Sequence, residues 1–368
     1  MTATLFFRSI ERAYNIKPGF ATDHLALFMT NPAEVGYDEA RAKEFYRAMR
    51  DRVSTLPGVT SVSWASGLPF WNNPSRSIVI EGAGQRKASD KIATVVFTVD
   101  TDYFQTMGIP LVAGRVFGDN DREASVPVAI VNQALAEEHW PGGGALGHRF
   151  QFAGDTTWRQ VVGVVRNANY TTLGEAAQPC VYLPLRQNFS DGMTLYVRTA
   201  ADPAGVLVVT QREIRGFDPN IQIDARTGGK LIDQVLWGAR VGVALLGVFG
   251  SLALILASVG LYGVMAYSVS RRTKEIGVRM ALGASPSKVL RLILRDGMLL
   301  VSCGIAMGLG ASLVAGRVLS RMLFGISGAD PQSLAAASAA LFAVAFVACY
   351  LPARAAARVD PMTALRSM

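Results

Sequence analysis

"VGVALLGVFGSLALILASVGLYGVMAYSVS", residues 241–270, decides the fold of this 368-residue chain. It holds no charged side chain, and a helix needs roughly 20 apolar residues to cross the hydrocarbon core of a bilayer. Two further stretches meet that requirement: "GMLLVSCGIAMGLGASLVAG" (297–316) and "PQSLAAASAALFAVAFVACYLPA" (331–353). Buried helices of soluble proteins rarely run so long without a charge. Three membrane spans are therefore expected, at about 241–268, 297–317 and 332–352.

Working outward, the charge changes abruptly. "RRTKEIG" (271–277) follows the first apolar run at once. Residues 238–368 carry 13 Lys/Arg and 4 Asp/Glu, whereas residues 1–237 carry 23 and 24. The net charge of +8 thus resides in the apolar third. This pattern fits basic residues flanking membrane helices and not a phosphate-binding groove, so nucleic acid is not expected as a partner. Arg271, Arg272, Lys274, Arg279, Lys288, Arg291 and Arg295 follow the first span, and Arg354, Arg358 and Arg366 follow the third. Both segments are expected on the cytoplasmic side. Residues 1–237 then lie outside the membrane.

The spans are rich in small residues. Gly304 and Gly308, in "GIAMG", have the spacing that lets helix backbones approach closely in lipid, and are the candidate helix-packing residues. No Asp, Glu, Lys, Arg or His interrupts any of the three apolar runs, which argues against an ion-coupled carrier. Of the three cysteines, Cys303 and Cys349 lie in apolar runs and only Cys180 in the polar part, which therefore cannot close an internal disulfide.

Upstream, "YDEARAKEFYRAMRDRVSTLPGV" (37–59) reads as an amphipathic helix with Ala42, Phe45, Met49 and Val53 on one face, stopped at Pro57-Gly58. Strands are expected at Val59–Ser63, Ser77–Glu81 and Ile92–Val99. "VPVAIVNQALAEEHW" (126–140) reads as a strand entering a helix. "HRFQF", "WRQVVGVVRNANY", "CVYLPL" and "MTLYVRT" read as strands, "DPAGVLVVTQREIRGFDPN" as a helix and "IQIDA" as a last strand. Strands and helices mix without strict alternation, so residues 20–230 are expected to form an α+β domain.

Motifs for chemistry are few. "GGGALG" (142–147) satisfies G-x-G-x-x-G, but a helix precedes it and a strand follows, the reverse of the dinucleotide-binding order. The chain has no Walker A loop and no G-x-S-x-G elbow. His24, His139 and His148 lack metal-type spacing. Asp100 and Asp102 read most simply as turn residues. No catalytic, cofactor or metal residues are expected, and no enzyme.

"RRTKEIGVRMALGAS" (271–285) closely resembles the signature after the second membrane helix of MacB/FtsX-type ABC transporter permeases. "DYFQTMGIPLVAGRVF" (102–117), "VPVAIVNQALAEEHWPGGGALGHRF" (126–150) and "WRQVVGVVRNANY" (158–170) look like the periplasmic core domain of that family. "YLPARAAARVDPMTALR" (350–366) looks like its C-terminal tail. The chain is most similar to the C-terminal half of duplicated orphan permeases, which lack a fused ATPase. Family members open with a membrane helix, and "ATLFF" (3–7) resembles the end of one, so residues 1–19 are expected to be the remnant of a juxtamembrane segment.

The resemblance implies a MacB-like periplasmic core domain (20–230) followed by an all-α, FtsX-like permease domain of three transmembrane helices (231–368). It implies a coupling helix at about 271–284 that touches a cytoplasmic ABC ATPase supplied in trans. Its signature falls on Arg271, Arg272, Glu275, Ile276, Gly277, Arg279 and Gly283. It implies a bacterial inner-membrane location with a cytoplasmic C-terminus, a second permease subunit or homodimer, and a periplasmic protein partner. The rival expectation is a non-transporting membrane scaffold or sensor whose periplasmic domain binds a protein.

Overall fold

The computed structural model describes residues 18–71, 73–82, 92–142, 144–171, 177–272, 275, 278, 285–319 and 331–356. They divide into two compact units, one ending at Leu236 and the other beginning at Trp237.

The first unit is α+β. Strands β1 (Leu25–Thr30), β2 (Val59–Ala65), β10 (Met193–Thr199) and β11 (Ile223–Thr227) form an antiparallel sheet in the order β11-β1-β10-β2. Its strands alternate between two cores, as the two-residue period of a strand demands. Ala26, Phe28, Val62, Trp64, Leu195 and Val197 face helices α1 (Glu39–Ser54) and α4 (Ala204–Phe217). Leu25, Leu27, Ala65 and Tyr196 face the opposite core.

Helix α1 forms where the sequence places apolar residues at helical spacing. Ala42, Phe45, Tyr46, Met49 and Val53 are buried, and the Asp38 side chain caps the start by accepting from the Arg41 amide at 2.8 Å. Thr55 ends it, two residues before Pro57-Gly58.

The remaining strands are β3 (Ser75–Ile80), β4 (Ile92–Val99), β5 (Leu111–Gly114), β6 (Val128–Asn132), β7 (Arg149–Phe152), β8 (Arg159–Val165) and β9 (Cys180–Pro184). Strands β4, β3, β7, β8, β6 and β9 pair in that order, and β9 returns to pair in parallel with β4, closing a ring. Phe97, Ile130 and Tyr182 face one core, and their neighbours Val96, Val131 and Val181 face another. Asn132 joins β6 to helix α3 (Gln133–His139). Its Oδ1 accepts from the Leu135 and Cys180 amides, and its Nδ2 donates to the Gln178 carbonyl.

Four elements lie beyond the sequence reading: β1, a one-turn 3-10 helix at Pro32–Val35, β5 and the short helix α2 (Tyr103–Met107). The "GGGALG" loop connects α3 to β7, a helix before and a strand after.

The second unit is helical. Helix α5 runs from Gly228 to Arg271, α6 from Pro286 to Leu319 and α7 from Pro331 to Ala356. The boundary expected at residue 230 falls in the first turn of α5. Gly228–Arg271 and Ser287–Ser312 are each long and apolar enough to cross a membrane, and Ser338–Arg354 is a shorter apolar stretch. None of the most apolar window of α5 is buried. Leu256, Val259 and Val264 are at least 60% exposed. A helix that is apolar all round and uncovered by its own chain requires another apolar medium.

Candidate functional site

The candidate site lies where α5 gives way to basic residues and α6 begins. Helix α5 ends at Arg271, with the Arg271 guanidinium over the Tyr267 ring at 5.9 Å. The Arg272 amide still donates to the Ser268 and Val269 carbonyls, so the backbone remains wound there. Glu275 is helical and exposed. Ile276, Gly277, Arg279 and Gly283 lie outside the described residues.

Helix α6 starts at Ser285-Pro286. Proline suits a first helical position because its missing N–H would find no intrahelical partner there. The Lys288 and Val289 amides donate to the Ser285 carbonyl. Lys288, Arg291 and Arg295 follow at helical spacing and are exposed, forming one cationic stripe. Arg272 Nη1 reaches Asp296 Oδ2 at 3.2 Å, tying the end of α5 to α6. Both side chains are more than half exposed, so the pair orients more than it stabilises.

One residue further on, the helices close together. Gly297 is buried, and a Cβ there would lie 2.9 Å from Cys349 Sγ of α7 and 3.0 Å from Met265 Cε of α5. Three helices therefore converge directly beside the charged turn. The sequence reading missed Gly297. The available signal was a glycine standing immediately after the last charge before an apolar run.

Gly304 and Gly308 lie elsewhere. A Cβ on either would meet nothing within 4 Å. Both line a cavity of about 570 Å³ between the helices, opposite Leu254 and Leu261 of α5 and Leu341 and Val344 of α7. Within one chain they border open space.

Chemically, the site offers cationic side chains at an apolar boundary. Among the described residues, no group of three or more His, Cys, Asp or Glu side chains is placed to hold a metal ion.

Comparison with known proteins identifies the family and not the roles of these residues. The family model described as MacB-like periplasmic core domain matches residues 3–214, and the model described as FtsX-like permease C-terminal matches residues 247–361. A macrolide export ATP-binding/permease protein MacB from Shewanella sp. (strain W3-18-1) is 25% identical over 297 residues, covering 76% of this chain and 44% of that protein. A pyoverdine export ATP-binding/permease protein PvdT from Pseudomonas fluorescens is 25% identical over 336 residues, covering 85% of this chain and 49% of that protein. The chain spans about half the length of the curated relatives it matches. The crystal structure of the periplasmic region of MacB from Actinobacillus actinomycetemcomitans overlaps 62% of this chain and 97% of its own, at a TM-score of 0.43 and 12% identity. The two family models, which between them take in most of the α+β unit and most of the helical unit, carry the assignment: the chain belongs to the MacB/FtsX-type ABC transporter permeases, with a MacB-like periplasmic core domain followed by an FtsX-like permease region.

Proposed function

We propose that the chain is the permease subunit of an ABC-type mechanotransmission system. A separate cytoplasmic ATPase hydrolyses ATP. Its movement is received by the coupling helix at about 271–284 and passed through three spans, 241–268, 297–317 and 332–352, to the periplasmic domain at 20–230. The chain works beside a second permease subunit, as a homodimer or with a related chain, in a bacterial inner membrane with its C-terminus in the cytoplasm. The work done serves efflux, lipoprotein export or control of a periplasmic protein.

The observation that supports this reading best is the sharp boundary at Arg271-Arg272. An apolar helix ends there, a cationic stripe on the next helix begins, and the Gly297 contact joins three helices one turn away. Arginine forks offer directed contacts to carboxylates on a partner. A push on this turn has a short route into the spans through the Gly297 contact.

The experiment replaces Arg279 with a photo-crosslinking amino acid in the native host and identifies the attached protein by mass spectrometry. An ABC ATPase subunit joined there supports coupling. If the protein is present in the membrane and yields no ATPase, the membrane scaffold or sensor becomes the better account.

A further inference from the structure

The α+β unit contains a charged cleft that coupling to an ATPase does not use. A cavity of about 490 Å³ opens beside α1. One wall is the α1 stripe Lys43, Arg47 and Arg50, at the i, i+4, i+7 spacing that places residues on one helix face. The other wall is Arg122 and Glu123 from the segment after β5, and Arg186 after β9. Its floor includes Tyr46, Trp64 and Leu185. The Tyr46 and Trp64 rings pack at 4.7 Å between centroids.

The backbone explains why a cleft forms here. Strands β4 and β9 run parallel and adjacent, with Val99 opposite Pro184. The chain leaves both at the same end, to Asp100 and to Leu185-Arg186. Helix α1 covers one side and leaves the other open.

Charge then selects the ligand. Five cations, Lys43, Arg47, Arg50, Arg122 and Arg186, line the cavity against two carboxylates, Asp100 and Glu123. Arg50 is engaged with Asp100 at 3.1 Å, Lys43 with Glu39 at 2.6 Å and more loosely with Glu123 at 3.8 Å, and Arg186 reaches Asp119 at 2.8 Å. Among the described residues, Arg47 makes no ion pair and the Arg122 guanidinium donates only to the Asp119 carbonyl. A cleft with a surplus of one sign and an apolar floor concentrates ligands of the other sign. Its volume falls in the range for a small organic molecule, roughly 300–1,000 Å³.

The geometry points to a binding site for a small organic anion: a carboxylate- or sulfonate-type head held by Arg47, Arg122 and Arg186, with an apolar body against Tyr46, Trp64 and Leu185. Glu123 is the gate charge. It lines the cleft with a negative charge that repels an anionic ligand, so its removal strengthens binding.

The test uses the full chain in phosphatidylcholine nanodiscs and isothermal titration calorimetry. The probes are naphthalene-2-sulfonate and its uncharged counterpart, naphthalene-2-sulfonamide. The sulfonate should bind saturably, about tenfold or more tighter than the sulfonamide, as expected for charge-assisted hydrogen bonds. Arg47→Gln with Arg186→Gln should weaken the sulfonate by a similar factor. Glu123→Gln should strengthen it, a gain that misfolding cannot produce. Arg76→Gln, at the Phe152 ring in another part of the unit, should change nothing. No saturable sulfonate binding above empty nanodiscs overturns the proposal. So does equal affinity for the two probes, or an unchanged affinity in the Arg47/Arg186 variant.

Discussion

Gly297 of α6 lies under Cys349 of α7 so closely that a single added carbon would sit 2.9 Å from the sulfur. Met265 of α5 crowds the same point, its Cε and Sδ at 3.0 and 3.2 Å. The methionine end can swing away. The cysteine sulfur has only one torsion and is fully buried. Gly297→Val should therefore destabilise the protein by about 1–3 kcal/mol, the usual cost of overpacking. Gly297→Ala should cost less, and Cys349→Ala should relieve part of it. Thermal unfolding of the four proteins in a double-mutant cycle measures the coupling. Strict additivity would show that these residues do not touch.

Gly304 and Gly308 provide the contrast. Their added carbons meet open space, so Gly304→Ala and Gly308→Ala should not destabilise the isolated chain and, as helix-interior replacements, should stabilise it by up to about 1 kcal/mol. Destabilisation of either variant, at a protein concentration where the chain is monomeric, would mean that the helices approach more closely there than the cavity allows.

The Arg272–Asp296 pair links two helices at the charged turn, yet both partners are more than half exposed. Such pairs contribute about 0–1 kcal/mol. Asp296→Asn should leave the unfolding transition nearly unchanged. Under the proposed function, the same variant should weaken stimulation of an ATPase partner, measured as ATP turnover. Loss of turnover accompanied by a large loss of stability would sink the argument that this pair orients the turn.

The membrane unit and the α+β character of the first unit were legible in the sequence because each leaves a periodic or charge-based trace. Residues 241–270 lack any charge, and Ala42, Phe45, Met49 and Val53 repeat at helical spacing. Strand β1 escaped because "LALFM" (25–29) is apolar on both faces, as a strand sandwiched between two cores must be, and shows no alternation. Strand β5 is four residues long, too short for any period. The contact at Gly297 depends on residues 32 and 52 positions away in sequence, which only the folded helices bring together. The cleft was illegible for the same reason: its arginines come from α1, from the segment after β5 and from the end of β9.

Asp121 makes a pH prediction. It accepts two bonds from Arg115, at 2.7 and 2.8 Å, and one from the Gly118 amide at 2.9 Å. The Arg115 guanidinium, aided by that amide and opposed by burial, holds the carboxyl below the usual carboxylate range. A depressed folded-state pKa stabilises fully above the unfolded value, about 3.9, and is lost as pH falls through the folded value. Asp121→Asn should lower stability at pH 7 by about 1–2 kcal/mol, the worth of charged hydrogen bonds discounted for the exposed arginine. Denaturant titrations at pH 7 and at progressively lower pH should show the gap narrowing only below about pH 4. A gap that stays constant through that range would refute the ionised pair as its cause.

Gly163 supports the most specific prediction. It pairs with Gly114 where β5 meets β8. A Cβ on Gly163 would lie 2.3 Å from the Arg115 carbonyl oxygen, and one on Gly114 would lie 2.3 Å from that of Val162. These obstacles are backbone atoms and cannot rotate aside. Gly114 also has φ +78°, a conformation other residues resist. Gly163→Ala must therefore separate the strands, and since β5 pairs only with β8 among the described strands, it has nowhere else to go. The expected cost is about 3 kcal/mol, the upper end for overpacking. Arg115, Arg122 and Glu123 follow β5, so hydrogen exchange over residues 111–127 should rise while that of α1 stays near the parent. The variant should also lose affinity for naphthalene-2-sulfonate without any change to the cleft side chains. Parent-like stability and exchange would show that β5 does not depend on this glycine contact.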